Sequence, residues 1–141
     1  MALIARYLLD TSVLARMNQP AVAAPVVPLI QAGLVATCAV LDMEALYGAR
    51  SAADYEAIRT DRRRAYEYLP AHDEQWQRAL DVQRALAARG QLRAVGIGAL
   101  LIAATAEHHG VTLIHYDSDF DYVVAITGQR ARWVVARGST G

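Results

Sequence analysis

The chain has 141 residues, 55% of them hydrophobic, and a formal net charge of zero. That length is one domain's worth and supports a proper core; without bulk basic charge, any nucleic-acid site must arise from local clustering. All fourteen basic residues are arginine, which excludes every mechanism that needs a lysine, and the single Cys38 excludes an internal disulfide or a cysteine-based zinc site. Met1–Leu9 is too short for a signal peptide, and no apolar run approaches the ~20 residues of a membrane helix, so a soluble cytoplasmic protein is expected.

In chain order, Tyr7-Leu8-Leu9 reads as a short apolar strand ending at Asp10. Thr11 and Ser12 offer hydroxyl caps for a short helix through Met17. A helix is predicted over Ala21–Ala32, with Pro25 and Pro28 tolerable only near its first turns. Gly33 ends it, and Leu34–Thr37 reads as a buried strand; Cys38, in the apolar run Leu34–Leu41, reads as a small buried residue. Val40–Arg50 is helical, with Leu41, Leu46 and Tyr47 at core-facing spacing. Two longer amphipathic helices follow, over Ala52–Leu69 and Asp73–Arg89, separated by Pro70. Gly90–Gly98 is a loop with three glycines, and Ala99–His109 an apolar helix stopped by Gly110. Val111–Tyr116 is a strand, Phe120–Ile126 a short helix, and Arg132–Ala136 a last strand. Short apolar strands alternating with helices predict one α/β domain over residues 1–141, a three-layer α/β/α arrangement around a mostly parallel sheet.

In such sheets ligands bind beyond the carboxyl ends of the strands. Two predicted strands run directly into an acid, Asp10 and Asp117, with Asp119 and Asp121 close behind. Either Asp alone reads as an ordinary helix cap. Two at the same rim shift the balance toward a site for a hard cation, which would offset their repulsion. Glu44, one turn after Leu41, can sit at the margin of the buried face of its helix. His115 reads as a core histidine, and His108 and His109 suit a helix C-terminus.

The residues also resemble a known family. Leu8-Leu9-Asp10-Thr11-Ser12 is similar to the opening motif of PIN domains, and Met43–Arg50 around Glu44 to the second acidic motif. Leu100–Ala106 resembles the helix that carries the third, and His115–Asp121 the fourth. Order and spacing match over nearly the whole chain, and the size and the central helical pair look most like the VapC toxins of bacterial toxin–antitoxin pairs. The resemblance implies a Mg²⁺- or Mn²⁺-dependent endoribonuclease acting on RNA, with tRNA or rRNA as substrates. It also implies a VapB-like antitoxin, a homodimer of toxins and a higher toxin–antitoxin assembly. Carried over by position, Asp10, Glu44 and Asp117 match the family's acids, Asp119 and Asp121 are weaker matches, and Thr11 or Ser12 stands for the neighbouring hydroxyl.

The departure is at Ala99, where the family usually has Asp. No acid lies between Asp81 and Glu107 to replace it. Ala99 is read as a substitution that silences the enzyme; the alternative is a naturally degenerate PIN domain that only binds RNA or a protein. Arg59, Arg62, Arg63 and Arg64 read mainly as a solvated face paired with Glu56, Asp61 and Glu67. Arg93 is the arginine expected to contact RNA phosphate, because its loop leads to the Ala99 helix. Phospho-receiver and dehalogenase-like folds also cluster acids at strand ends, but both use a lysine.

Overall fold

A computed structural model describes residues 3–140; residues 1, 2 and 141, at the ends of the predicted domain, lie outside the described residues. Five strands form one sheet in the order β3-β2-β1-β4-β5, and every pairing is parallel. β1 (Tyr7–Leu9) lies at the centre, between β2 (Val35–Thr37) and β4 (Thr112–His115). Leu8 pairs with Ala36 on one side and with Leu113 on the other.

The strands are apolar throughout because both faces are covered, as parallel sheets require. Alternation splits their side chains between two cores. Leu8, Ala36 and Leu113 join the larger core with α3 (Ala39–Tyr47), α5 (Asp73–Ala88), α6 (Ile97–His109) and α7 (Asp119–Thr127). Leu9, Val35 and Ile114 point the other way, against Val13 of α1 (Thr11–Leu14) and Val22 and Val26 of α2 (Pro20–Gln31). The expected three layers are present. Cys38 is buried, as an ordinary small core residue.

Four expected boundaries are corrected. α2 continues through Pro25 and Pro28 instead of confining them to its start. Both prolines lie on its exposed side, with Ala21 and Ala24, whose carbonyls lose their helical donors where water can replace them. The helix predicted over Ala52–Leu69 stops earlier: α4 is Ala52–Ala65, and Tyr66 turns extended into β3 (Glu67–Tyr68). Tyr66 and Leu69 fitted a helical stripe, but β2 offers a free edge, and Ala36–Thr37 pair with Glu67–Tyr68. Leu69 N–H then donates to the Thr37 carbonyl at 2.8 Å. Finally, α6 begins at Ile97, two residues before the predicted start, so Ala99 lies inside its first turn. β5 is Ala131–Trp133, which starts one residue earlier and is two residues shorter than expected.

α6 is buried along most of its length, from Leu100 to Ala106, and forms the centre of the larger core. Gly110 ends it at φ +69°, a left-handed turn that a side chain would strain, and feeds the chain directly into β4. Arg78 of α5 clamps it through two hydrogen bonds to Glu107, at 2.7 and 3.1 Å. Among the described residues no helix is long and apolar enough to cross a membrane.

Leu8 is fully buried on the central strand. Leu8→Ala is expected to cost about 2–5 kcal/mol of stability, measured by urea unfolding, through lost burial plus the residual cavity.

Candidate active site

The acids collect at the carboxyl rim of the central strands. Asp10 follows β1 directly. Its backbone N–H still donates to the Ile114 carbonyl at 3.0 Å, so the ladder fixes its position. Its side chain caps α1: Oδ2 accepts from Ser12 N–H at 3.0 Å and from Ser12 Oγ at 2.5 Å. Ser12 Oγ in turn accepts from Tyr116 N–H at 2.9 Å, tying the end of β1 to the end of β4. Asp117 lies two residues beyond β4, not at its end as expected, and its Oδ1 accepts from Asp119 N–H at 2.9 Å. The capping reading holds for Asp10, whereas Asp117 stands one residue before Ser118, the N-cap of α7, and binds the N–H of that helix's first residue; each aspartate uses only one oxygen in these bonds. Among the described residues Asp10 Oδ1 and Asp117 Oδ2 accept no hydrogen bond and no buried side-chain oxygen lacks a partner. Both free oxygens therefore meet solvent.

Glu44 enters from α3. Thr11 Oγ1 donates to its Oε1 at 3.2 Å. Its Oε2 lies 3.6 Å from where a Cβ on Gly98 would stand, so the first turn of α6, with Ala99, closes the crevice from above Glu44. Ala99 itself packs half-buried against the larger core and brings no polar atom. The helix starts at Gly96 without a side-chain cap.

The charges act on one another. Partial burial, then the Asp10 carboxylate, push the Glu44 carboxyl up, while the Thr11 hydroxyl partly offsets them. Asp119 is pushed up by burial, by the charge of Asp117 and its hydrogen bond, and by Asp10. Asp10 thus repels Glu44 on one side and Asp119 on the other, and Asp119 also feels Asp117. Asp121 turns aside: it accepts from Trp133 Nε1–H at 3.1 Å and pairs at 3.8 Å with Arg137. His115 is buried against Phe120 and Trp133, and burial pushes its imidazole down. It is the expected core histidine.

Arg93 is exposed and makes no hydrogen bond or ion pair among the described residues. The same stretch instead brings Arg89 and Gln91 to a cleft with Ser118, Asp121 and Arg137. Arg16 was not anticipated: its guanidinium stacks 4.5 Å from the Tyr116 ring centroid and donates to the Ser12 carbonyl at 2.8 Å. Nothing in its local sequence marks it, because its partners lie on the neighbouring turn and on β4.

Do these donors suit a metal ion? They are all hard carboxylate or hydroxyl oxygens, and burial first and neighbouring carboxylates second push Glu44 and Asp119 up, a cost that a cation would relieve. No three acids among the described residues converge as a ready-made ligand group. Mg²⁺, however, keeps several waters and needs only one or two carboxylates, and Asp10 and Asp117 each leave one oxygen free. The residues fit a hydrated divalent cation, with one carboxylate fewer than the resemblance implies.

Because Glu44 and Asp119 have raised folded-state pKa values, the folded state binds more protons than the unfolded one in that range. Their contribution to stability is complete below the ordinary carboxylate range and is lost as pH rises through the raised values. Glu44→Gln keeps the acceptor for Thr11 and removes the charge. It is expected to raise Tm at pH 7 in EDTA and to flatten the decline in Tm from pH 4 to 7; a lower Tm at pH 7 would show that repulsion is not the dominant effect there.

Known proteins place this architecture. The PIN domain profile matches residues 7–125. Ribonuclease VapC21 of Mycobacterium tuberculosis is 46% identical over 134 residues, spanning 95% of this chain and 97% of the relative. Ribonuclease VapC51 of the same organism is 42% identical over 134 residues, spanning 95% and 96%. The crystal structure of VapBC2 from Rickettsia felis, bound to a DNA fragment from its promoter, aligns at TM-score 0.72 and 16% identity, over 90% of this chain and 97% of that one. DNA-bound VapBC from Salmonella typhimurium aligns at 0.73 and 19%, over 93% and 99%. At such identities the two structures speak for the fold alone. With the profile spanning most of the chain and relatives above 40% identity along nearly all of it, the protein belongs to the PIN domain family, in its VapC group.

Proposed function

We propose that this protein is the toxin of a VapBC-type pair, a divalent-metal-dependent endoribonuclease that cuts tRNA or rRNA, and that Ala99 leaves this chain weakly active. The observation that carries the reading is the meeting of Asp10, Glu44, Asp117 and Asp119 at one sheet rim, closed by the first turn of α6. The relatives bear the name ribonuclease, and the solved neighbours are complexes with antitoxins. Both support an RNA-cleaving chain with a VapB-like partner, and the toxin pairs with a second copy of itself within that assembly.

Asp10 and Asp117 would hold Mg²⁺ or Mn²⁺ through their free oxygens, with Glu44 and Asp119 beside them. When bound, the ion supplies positive charge that activates water and offsets charge developing on the phosphate. The remaining roles belong to the chain. Ser12 fixes the rotamer of Asp10 and holds the two strand ends together. Thr11 donates to Glu44 and orients its carboxyl beside Asp10. Arg16, stacked on Tyr116, keeps a cation next to the rim without occupying it.

Position 99 lies in the first turn of α6, where an Asp would favour the helix dipole and bring a carboxylate to the turn whose Gly98 lies against Glu44. Incubation of total tRNA and rRNA with Mg²⁺ or Mn²⁺ tests the reading. Ala99→Asp is expected to raise EDTA-sensitive cleavage at least ~100-fold over the parent chain, since even groups one layer out from a metal change activity 10–100-fold. The second reading, a PIN domain that only binds, draws on the absence of a ready three-acid group. It predicts no cleavage by either protein in either metal.

A further inference from the structure

The acid crevice cannot by itself attract a polyanion, and the chain has no net positive charge to do so. Beside it lies a pocket of the opposite character. A cavity of about 490 Å³ is lined by Arg59, Arg62, Arg63, Tyr66 and Tyr68, with Thr37 and Asp42 at its base. Thr37 ends β2, the strand next to β1, and Tyr68 ends β3 beyond it. Adjacent strands are about 5 Å apart, so the pocket continues the same carboxyl rim that carries Asp10. α3 is the wall between the two. Asp42 faces the pocket and Glu44 the acids, as residues two apart on a helix must diverge by roughly 200°.

The pocket is built, not a chance gathering of surface arginines. Arg62 is only 11% exposed; its Nε donates to Asp42 Oδ1 at 2.9 Å, and its terminal nitrogen donates to Thr37 Oγ1 at 3.0 Å. Thr37 Oγ1 donates to Asp42 at 2.7 Å, and the guanidinium stacks 5.0 Å from the Tyr66 ring centroid. This corrects the expectation that the arginines of α4 pair along their own helix. Among the described residues only Arg59 does, with Glu56 at 4.0 Å and in solvent, where screening leaves little attraction. Glu67 is engaged elsewhere, accepting from the backbone N–H groups of Ile4 and Ala5. Arg63 makes no ion pair or hydrogen bond among the described residues. The single carboxylate at the base therefore offsets one of three guanidiniums. Burial keeps the Tyr66 phenol protonated, a neutral donor, and Tyr68 leaves its ring 55% exposed.

We infer that this pocket is a second RNA-binding site, holding a phosphodiester of the substrate strand on Arg59 and Arg63, with the neighbouring base stacked on Tyr68. The inference rests on the ribonuclease reading above and adds to it where the strand is held. Guanidinium beside an exposed aromatic ring matches single-stranded RNA, in which a phosphate and an unstacked base come together. An acidic peptide would satisfy the charges and leave the ring unused.

Fluorescence anisotropy with a labelled single-stranded oligouridylate, in EDTA and over a range of NaCl, tests it with the full chain. Arg59→Gln/Arg63→Gln is expected to weaken binding and to lower the log–log salt slope by about 0.7, for the one phosphate that the two arginines hold. Tyr68→Ala is expected to weaken binding about tenfold with the slope unchanged, because stacking releases no counterions. Arg64→Gln and Arg84→Gln, outside the pocket, are expected to bind as the parent does. Unchanged affinity and slope in the pocket variants, or equal losses in the two outside variants, would overturn the site. So would loss of binding to an acidic antitoxin peptide with oligouridylate binding intact. In the Ala99→Asp background, the pocket changes are expected to raise KM for RNA and spare kcat. Cleavage with unchanged KM refutes the pocket alone, whereas absence of both cleavage and RNA binding refutes the ribonuclease reading with it.

Discussion

The arrangement depends on a sheet buried on both faces whose three central strands run in the same direction. β2, β1 and β4 alternate their apolar side chains between two separate cores, so none of them can slip by a residue without moving Leu8, Ala36 and Leu113 into the wrong layer. That register fixes where each strand ends. It places Asp10, still bonded through its backbone to Ile114, beside the turn that carries Asp117. Carboxylates that would spread apart in solution are held together by the burial of leucines.

The cost of that proximity is local. Glu44 and Asp119 are pushed toward protonation, and the crevice relieves its strain with hydroxyls: Thr11 on Glu44 and Ser12 on Asp10. Ser12 does more than donate to the Asp10 cap, because its oxygen also accepts from Tyr116 at the end of the neighbouring strand. The same two interactions therefore stabilise the fold and set the geometry of the acids. A free oxygen on each of Asp10 and Asp117 is what remains for a cation.

Charge along the rim is segregated by one helix. α3 turns Glu44 toward the acids and Asp42 toward the arginines, and Asp42, bound by Thr37 and Arg62, joins β2, α3 and α4 in one network. A protein neutral overall thus presents a negative crevice and a positive pocket on the same edge. Neither is visible in the net charge, which sums them to zero.

Much of this was legible in order along the chain. The apolar triplets, the acids that follow them, the left-handed stop at Gly110 and the three layers follow from local pattern, because burial on both faces leaves strands uniformly apolar and caps are read from neighbours. The motif around Glu44 and the missing acid at Ala99 were legible through resemblance. The extent of α2 through its prolines, the strand Glu67–Tyr68, the earlier start of α6 and the pairing of Arg62 with Asp42 were decided only by the tertiary structure. Each depends on a partner distant in sequence: water on one side of α2, the free edge of β2, the wall formed by Glu44, and a carboxylate on α3. The sequence by itself determined which segments are buried and which residues could carry chemistry; the packing of those segments determined which of them meet, because contacts between distant segments depend on how the sheet and its helices assemble.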